Sequence, residues 1–185
     1  MNCLSKIIAP LLTISFFYPY YVQAMQGSAD VIEIVPHESK RDNRDLERIV
    51  NYWELNGDPL ETNWWTVLRF RLPPKNNVDV ARHHNKTIGF ISYWSSIIKS
   101  YADQGYSHID LLAVDPFYLK MGCGRKLLRH VLHCLRFQGM LSTTIHIPTK
   151  NSIARLLYEH EQFKFMGNFA SPGTILPVLK KDLTT

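Results

Sequence analysis

Gly122, Cys123 and Gly124, flanked by Lys120, Arg125 and Lys126, form the stretch of this chain best suited to chemistry. They lie between an apolar strand ending Leu112-Ala113-Val114, a turn containing Pro116, and the first turns of an amphipathic helix. Such a junction aims backbone N–H groups and the positive end of a helix dipole at one point. That favours an anion, above all a phosphate or pyrophosphate. Gly122 and Gly124 carry no Cβ, so a diphosphate can approach the backbone closely. The loop is not a Walker loop, which ends in Gly-Lys-Ser/Thr. Nor is it a dinucleotide fingerprint, which needs a third Gly and a tighter turn than Asp115–Met121 allows.

The elements around the loop follow from apolar spacing. Residues 30–35 alternate with β-branched side chains and predict a first strand. Leu46, Ile49, Val50 and Trp53 mark the buried face of a helix over 40–56. Asp58-Pro59-Leu60-Glu61 has the form of a capped helix start, which predicts a second helix to about Leu72, stopped by Pro73-Pro74. Val78–Arg82 and Thr87–Trp94 pair as a hairpin turning through His84-Asn85. Strands follow at 106–114, 143–147, 165–169 and 175–183, with helices at 122–137 and 151–161. This order predicts a mixed α/β (α+β) three-layer domain.

With 185 residues, 45% of them hydrophobic, the chain suits one domain with a sizeable core. A net charge of +5 raises nucleic acid as a partner, but Lys120, Arg125, Lys126, Arg129 and Arg136 gather on the loop and its helix. They complement phosphates there, and no nucleic-acid recognition module is present to make that partner expected. Cys123 and Cys134 fall on one helix, about 16 Å apart along its axis, beyond the reach of a disulfide, and both read as packing residues. No His or Cys spacing suggests a metal, so none is expected. Lys6 precedes the apolar run 7–22, and Val22-Gln23-Ala24 resembles a cleavage site. Residues 1–24 therefore read as a secretory signal peptide, with a signal anchor or a start at Met25 as alternatives, and 25–185 as the domain.

Val114-Asp115-Pro116 followed by Leu119-Lys120-Met121-Gly122-Cys123-Gly124 resembles the acetyl-CoA motif of the GNAT N-acetyltransferase family. A second block at the expected distance, Asn151, Ala154, Tyr158, Glu159 and then Phe163, is similar to the same family, as is the closing strand Leu179–Leu183. The resemblance covers about residues 30–183. Leu119 departs from it, standing where the family has Gln or Arg. The resemblance implies a mostly antiparallel sheet of six to seven strands with about four helices, splayed at the cofactor. It implies acetyl-CoA as acyl donor and direct attack by an amine.

By the same resemblance, backbone groups of Leu112, Ala113 and Val114 pair with the pantetheine arm. Leu119, Lys120, Met121, Gly122, Cys123, Gly124, Arg125 and Lys126 surround the diphosphate. Asn151 caps its helix and also touches the CoA arm, and Tyr158 is the acid for the departing thiolate. An ordinary phenol is protonated at neutral pH and can donate. His108 falls where some members carry a catalytic Glu, and period-two geometry puts Asp110 on its face. His108 is the candidate base, and an acidic Asp110 would attract a cationic amine. His146 is a weaker base candidate; His83 and His84 read as turn residues. Trp53, Glu54, Trp64, Trp65, Tyr93 and Trp94 are candidates for an acceptor pocket.

These readings predict an N-acetyltransferase acting on a primary amine of a small molecule or protein. Two rivals stand beside it: a non-catalytic CoA-binding or protein-interaction domain that kept the fold, exported or tethered, and a transferase using a longer acyl or aminoacyl donor. Location is left divided, since the N-terminus points to export and acetyl-CoA to the cytoplasm.

Overall fold

The computed structural model describes residues 31–56, 76–96, 105–147, 151–171 and 174–184. In chain order these form β1 (Glu33–Pro36), α1 (Ser39–Asn56), β2 (Asn76–His83), β3 (Lys86–Ser96), β4 (Tyr106–Val114), α2 (Cys123–Phe137), β5 (Ser142–His146), α3 (Ser152–His160), β6 (Lys164–Ser171) and β7 (Thr174–Asp182). The expected helix near 58–72 and the signal-like segment 1–24 lie outside the described residues.

The strands make one seven-stranded sheet in the order β1-β2-β3-β4-β5-β7-β6. Every neighbouring pair is antiparallel except β4 and β5, which run parallel and are joined through α2. The hairpin between β2 and β3 turns where the sequence predicts. His84 (φ 47°) and Asn85 (φ 64°) both take the left-handed conformation of a two-residue hairpin turn. His83, expected in that turn, instead closes β2 opposite Lys86.

Helices cover both faces. On one, Leu127, Leu128, Val131, Leu132 and Leu135 of α2 recur at helical spacing and bury against Ile88, Ile91, Ile109 and Ile145 of the sheet. Each such side chain contributes roughly 1.5–3 kcal/mol by leaving water. Tyr158 of α3 and Phe163 complete this layer. On the other face, Leu46, Ile49 and Val50 of α1 pack on Val80, Phe90, Leu111 and Ala113. The result is the expected three-layer mixed α/β domain, with three α-helices among the described residues.

One irregularity of the sheet shapes the site. Tyr93 lies opposite Ile109 and Ser92 opposite Leu111, so Asp110 is an extra residue, a β-bulge in β4. Pairing of β4 with β5 runs from Tyr106–Ser142 to Ile109–Ile145 and stops there. Past the bulge β4 continues to Val114 beside β3 alone, and the sheet is split.

Candidate functional site

The split exposes backbone in an alternating pattern. The Asp115 N–H donates to the Ile88 carbonyl at 2.7 Å. In an antiparallel ladder alternate residues face the same neighbour. Ala113 therefore faces β3 as Asp115 does, while the N–H and C=O of Leu112 and Val114 point into the split. One of these is engaged: the Trp53 indole N–H of α1 donates to the Val114 carbonyl at 2.9 Å. Trp53, a pocket candidate from sequence, thus has a backbone partner at the rim of the split.

Beyond Val114 the chain turns through a short 3-10 segment, Pro116–Tyr118, held by Asp115. The Asp115 carboxylate is buried. It accepts from the Phe117 N–H (3.0 Å) and from Arg48 of α1 (2.7 Å), with Lys86 of β3 at 3.6 Å. Sequence reasoning gave Asp115 no role. The Asp-Pro pair followed by an N–H two residues on was the available signal, but Arg48 and Lys86 leave no local trace.

The glycine loop then leads into α2. Lys120 (φ 62°) and Gly122 (φ 79°) are both left-handed, and only the second has the residue that adopts this without cost. A Cβ on Gly122 would meet nothing within 4 Å. The Gly122 carbonyl accepts the Lys126 N–H at 2.9 Å, the first turn of the helix. The N–H groups of Cys123, Gly124 and Arg125 are the ones a helix start leaves without an intrahelical partner. Lys126 therefore offers its ammonium rather than its amide.

The Cys123 side chain packs as expected: it is buried beside Gly89, and burial pushes its thiol up to about 12. Only its backbone faces outward chemistry. Arg125 and Arg129 are not free cations, since both reach Glu161 after α3, at 3.4 and 2.9 Å. Leu119 and Met121 are exposed, as is Lys120.

Asn151 caps α3 as expected, its side-chain oxygen accepting the Ala154 N–H at 3.0 Å. Leu157 brings α3 to the loop: a Cβ on Gly124 would lie 3.6 Å from Leu157, 3.5 Å from Leu112 and 3.6 Å from Val114. Tyr158 is buried next to Phe163, their ring centroids 5.3 Å apart. Burial raises its pKa, so the phenol stays protonated well beyond neutral pH.

Asp110 and His108 stand on the other face of the sheet. Ser92 and Trp94 alternate with the core residues Ile91 and Tyr93, and both donate to the Asp110 carboxylate. Burial pushes Asp110 up to about 6 against the pull of those two hydrogen bonds. His108 also meets Trp94, at 5.9 Å between rings, so the sequence-expected neighbours do share a face. Burial and the nearby His146, 4.8 Å away, push His108 down to about 4. His146 is lowered by burial and stacks on Phe169 at 4.9 Å. Proton-holding groups thus lie on both faces of the sheet: a phenol on the α2–α3 face, a carboxyl and an imidazole on the α1 face.

Tyr93, a pocket candidate, points the other way. Its hydroxyl donates to buried Asp79 at 3.2 Å, and Asp79 lies 3.5 Å from His130 of α2. His130 and Cys134, four residues apart, meet at 3.6 Å, a pairing the sequence reading overlooked. Among the described residues no three His, Cys, Asp or Glu side chains converge on a metal position. Trp64 and Trp65 lie outside the described residues, and of Glu54 only the backbone is described.

This fold, with its split sheet and glycine loop, defines an acetyltransferase architecture, and comparison with known proteins agrees. The pattern of the Acetyltransferase (GNAT) family matches residues 37–164, and the chain belongs to that family. Solved structures share the fold at low identity. An N-acetyltransferase from Staphylococcus aureus Mu50 has a TM-score of 0.66 and 18% identity, over 83% of this chain and 99% of that one. PaiA N-acetyltransferase from Thermoplasma acidophilum, in complex with coenzyme A, has 0.63 and 16%, over 82% and 99%. The ribosomal-protein-S18-alanine N-acetyltransferase from Escherichia coli has 0.65 and 16%, over 84% and 96%. No curated protein matches the chain.

Proposed function

We propose that the protein transfers an acetyl group from acetyl-CoA to a primary amine by direct attack. The observation that carries this reading is the split of β4 from β5, with a glycine-started helix at its end and proton-holding groups on both faces of the sheet. The pantetheine arm pairs with Leu112 and Val114, with Ala113 as the spacer between them. The amides of Cys123, Gly124 and Arg125 face the diphosphate. Lys120 and Lys126 supply charge, and Leu119, Met121 and Gly122 shape the loop. Asn151 both caps α3 and contacts the CoA arm.

Asp110 draws the ammonium of the acceptor toward the split, and His108 takes its proton. The amine nitrogen then attacks the thioester carbon. A C–N bond forms and the C–S bond breaks; the thiolate takes its proton from Tyr158, and the second proton of the attacking nitrogen, lost as the amide forms, restores the phenol. Catalysis is mainly proximity with managed protons. The acceptor, a small molecule or a protein amine, is a matter for screening.

Calorimetric titration of acetyl-CoA into the full chain tests this reading, with Gly124→Glu as control. A Cβ at position 124 makes only ordinary contacts, with Leu112, Leu157 and Val114, and the glutamate adds a negative charge beside the helix start; far-UV circular dichroism checks that the control is folded. Saturable binding that the control loses is expected. In an amine screen, release of CoA thiol should fall roughly 10²-fold in Tyr158→Phe, with acetyl-CoA affinity kept. A folded chain that binds no acetyl-CoA overturns the reading. Binding without turnover on any amine favours the non-catalytic CoA-binding domain instead.

A further inference from the structure

The His108 imidazole does not stand alone. Its Nδ1 lies 2.7 Å from the Thr144 hydroxyl, and the same oxygen lies 2.6 Å from the Tyr106 hydroxyl. Tyr106 and His108 are i and i+2 on β4, and Thr144 sits opposite His108 on β5, in the stretch where the two strands still pair. Thr144 is buried, while Tyr106 is partly open to solvent. The three groups form one chain of hydrogen bonds running from the split toward the outside.

We propose that Tyr106 and Thr144 are relay residues that carry the acceptor's proton from His108 to solvent. A hydroxyl has one proton to give and lone pairs to accept, so the chain has two arrangements. In one, His108 Nδ1–H donates to Thr144, Thr144 donates to Tyr106, and Nε2 is free to accept. In the other, Tyr106 donates to Thr144, Thr144 donates to Nδ1, and Nε2 carries the proton. When Nε2 takes a proton from the ammonium, Nδ1 gives its own to Thr144, Thr144 to Tyr106, and Tyr106 to water. One N–H bond forms as another breaks at the ring, and one proton leaves at the far end. His108 remains neutral throughout.

That neutrality is what the surroundings require. His108 is faced by the His146 imidazole on β5, by Asp110 and Tyr106 on its own strand and by Trp94 on β3, with Lys180 opposite Thr144 on β7. In this setting burial and His146 penalise an imidazolium. A lone imidazole held down to about 4 is a weak acceptor at neutral pH; a ring that passes its proton on is not limited by that value. The inference rests on the acetyl-transfer reading for the source of the proton.

Wild type, Thr144→Val, Thr144→Ser and Tyr106→Phe full chains decide it, by turnover and by ring-nitrogen NMR of His108. Thr144→Val and Tyr106→Phe should each lower kcat roughly tenfold or more, with acetyl-CoA affinity unchanged. Thr144→Ser should restore it. The His108 Nδ1 resonance should move in Thr144→Val and return in Thr144→Ser. A Nδ1 resonance unmoved in Thr144→Val, or an unaltered kcat in Tyr106→Phe, overturns the relay. A wild type with no turnover on any amine sinks the acetyl-transfer reading instead, and the NMR result then decides the hydrogen-bond chain alone.

Discussion

Asp110 holds its proton more tightly than an ordinary carboxyl, and this has a direct kinetic consequence. Its pKa of about 6 means that the carboxylate, the form that attracts an ammonium, is filled only as pH rises through that value. The KM for the amine should therefore fall between about pH 5 and pH 7, while kcat follows His108 and its partners. Asp110→Asn should raise KM at pH 8 and remove that limb of the profile. Steady-state kinetics over pH 5–8 checks both. An amine KM flat across this range would take Asp110 out of acceptor binding. The glycine loop and the Asn151 cap were legible because their spacing is local, whereas Tyr158 was singled out by the family resemblance. The bulge that aims Asp110 was not legible, since it arises from a mismatch in count between β4 and β3 rather than from any residue type.

Elements are joined here by buried charge as well as by apolar packing. Asp42 of α1 is fully buried and accepts two bonds from Arg82 of β2, at 3.2 and 2.8 Å, one from the Thr87 hydroxyl at 2.7 Å and one from the Glu38 N–H at 2.7 Å. Burial opposes its charge, but Arg82 and the other donors hold its pKa below the usual value. Asp42→Ala leaves the Arg82 guanidinium buried and unpaired, which costs about 3 kcal/mol or more. Urea unfolding at pH 7 should show this as a lowered midpoint. Because the folded pKa is depressed, the contribution is complete above about pH 4 and fades as acid protonates the group in the native state. The helix itself was readable from its apolar stripe. Its partner was not, because residues 40 positions apart share no pattern.

At the scale of the molecule, α2 is fixed to the sheet through His130. Burial works against its charge, yet the Asp79 carboxylate and the Cys134 sulfur outweigh this and raise it to about 10. The unfolded chain releases that proton near pH 6.5. Between these values the native state binds the extra proton, so stability falls as pH rises. The linkage is fully present below about pH 6.5 and lost toward pH 10. Unfolding midpoints over pH 6–10 should decline, and His130→Gln should flatten the decline. Most element positions of the three-layer fold were legible because strands alternate and helices repeat every three to four residues. The pairing order was less so: Arg48 reaches Asp115 across 67 positions, and Thr144 reaches His108 across 36. Such contacts exist only once the sheet has formed.

A sheet that parts in its middle has inner borders as well as its two outer ones. The outer two are β1, four residues long and ending at Pro36, and β6, which is broken by its own irregularity near Met166. Short or bent borders discourage another chain from adding a strand. The inner border on β4 is protected differently. It presents just Leu112 and Val114 outward, and the Trp53 indole already occupies one of their four polar groups. What remains is two donors and a single acceptor, too brief a template for a peptide to extend. A slender ligand with matching amides can use it, and a stray strand cannot.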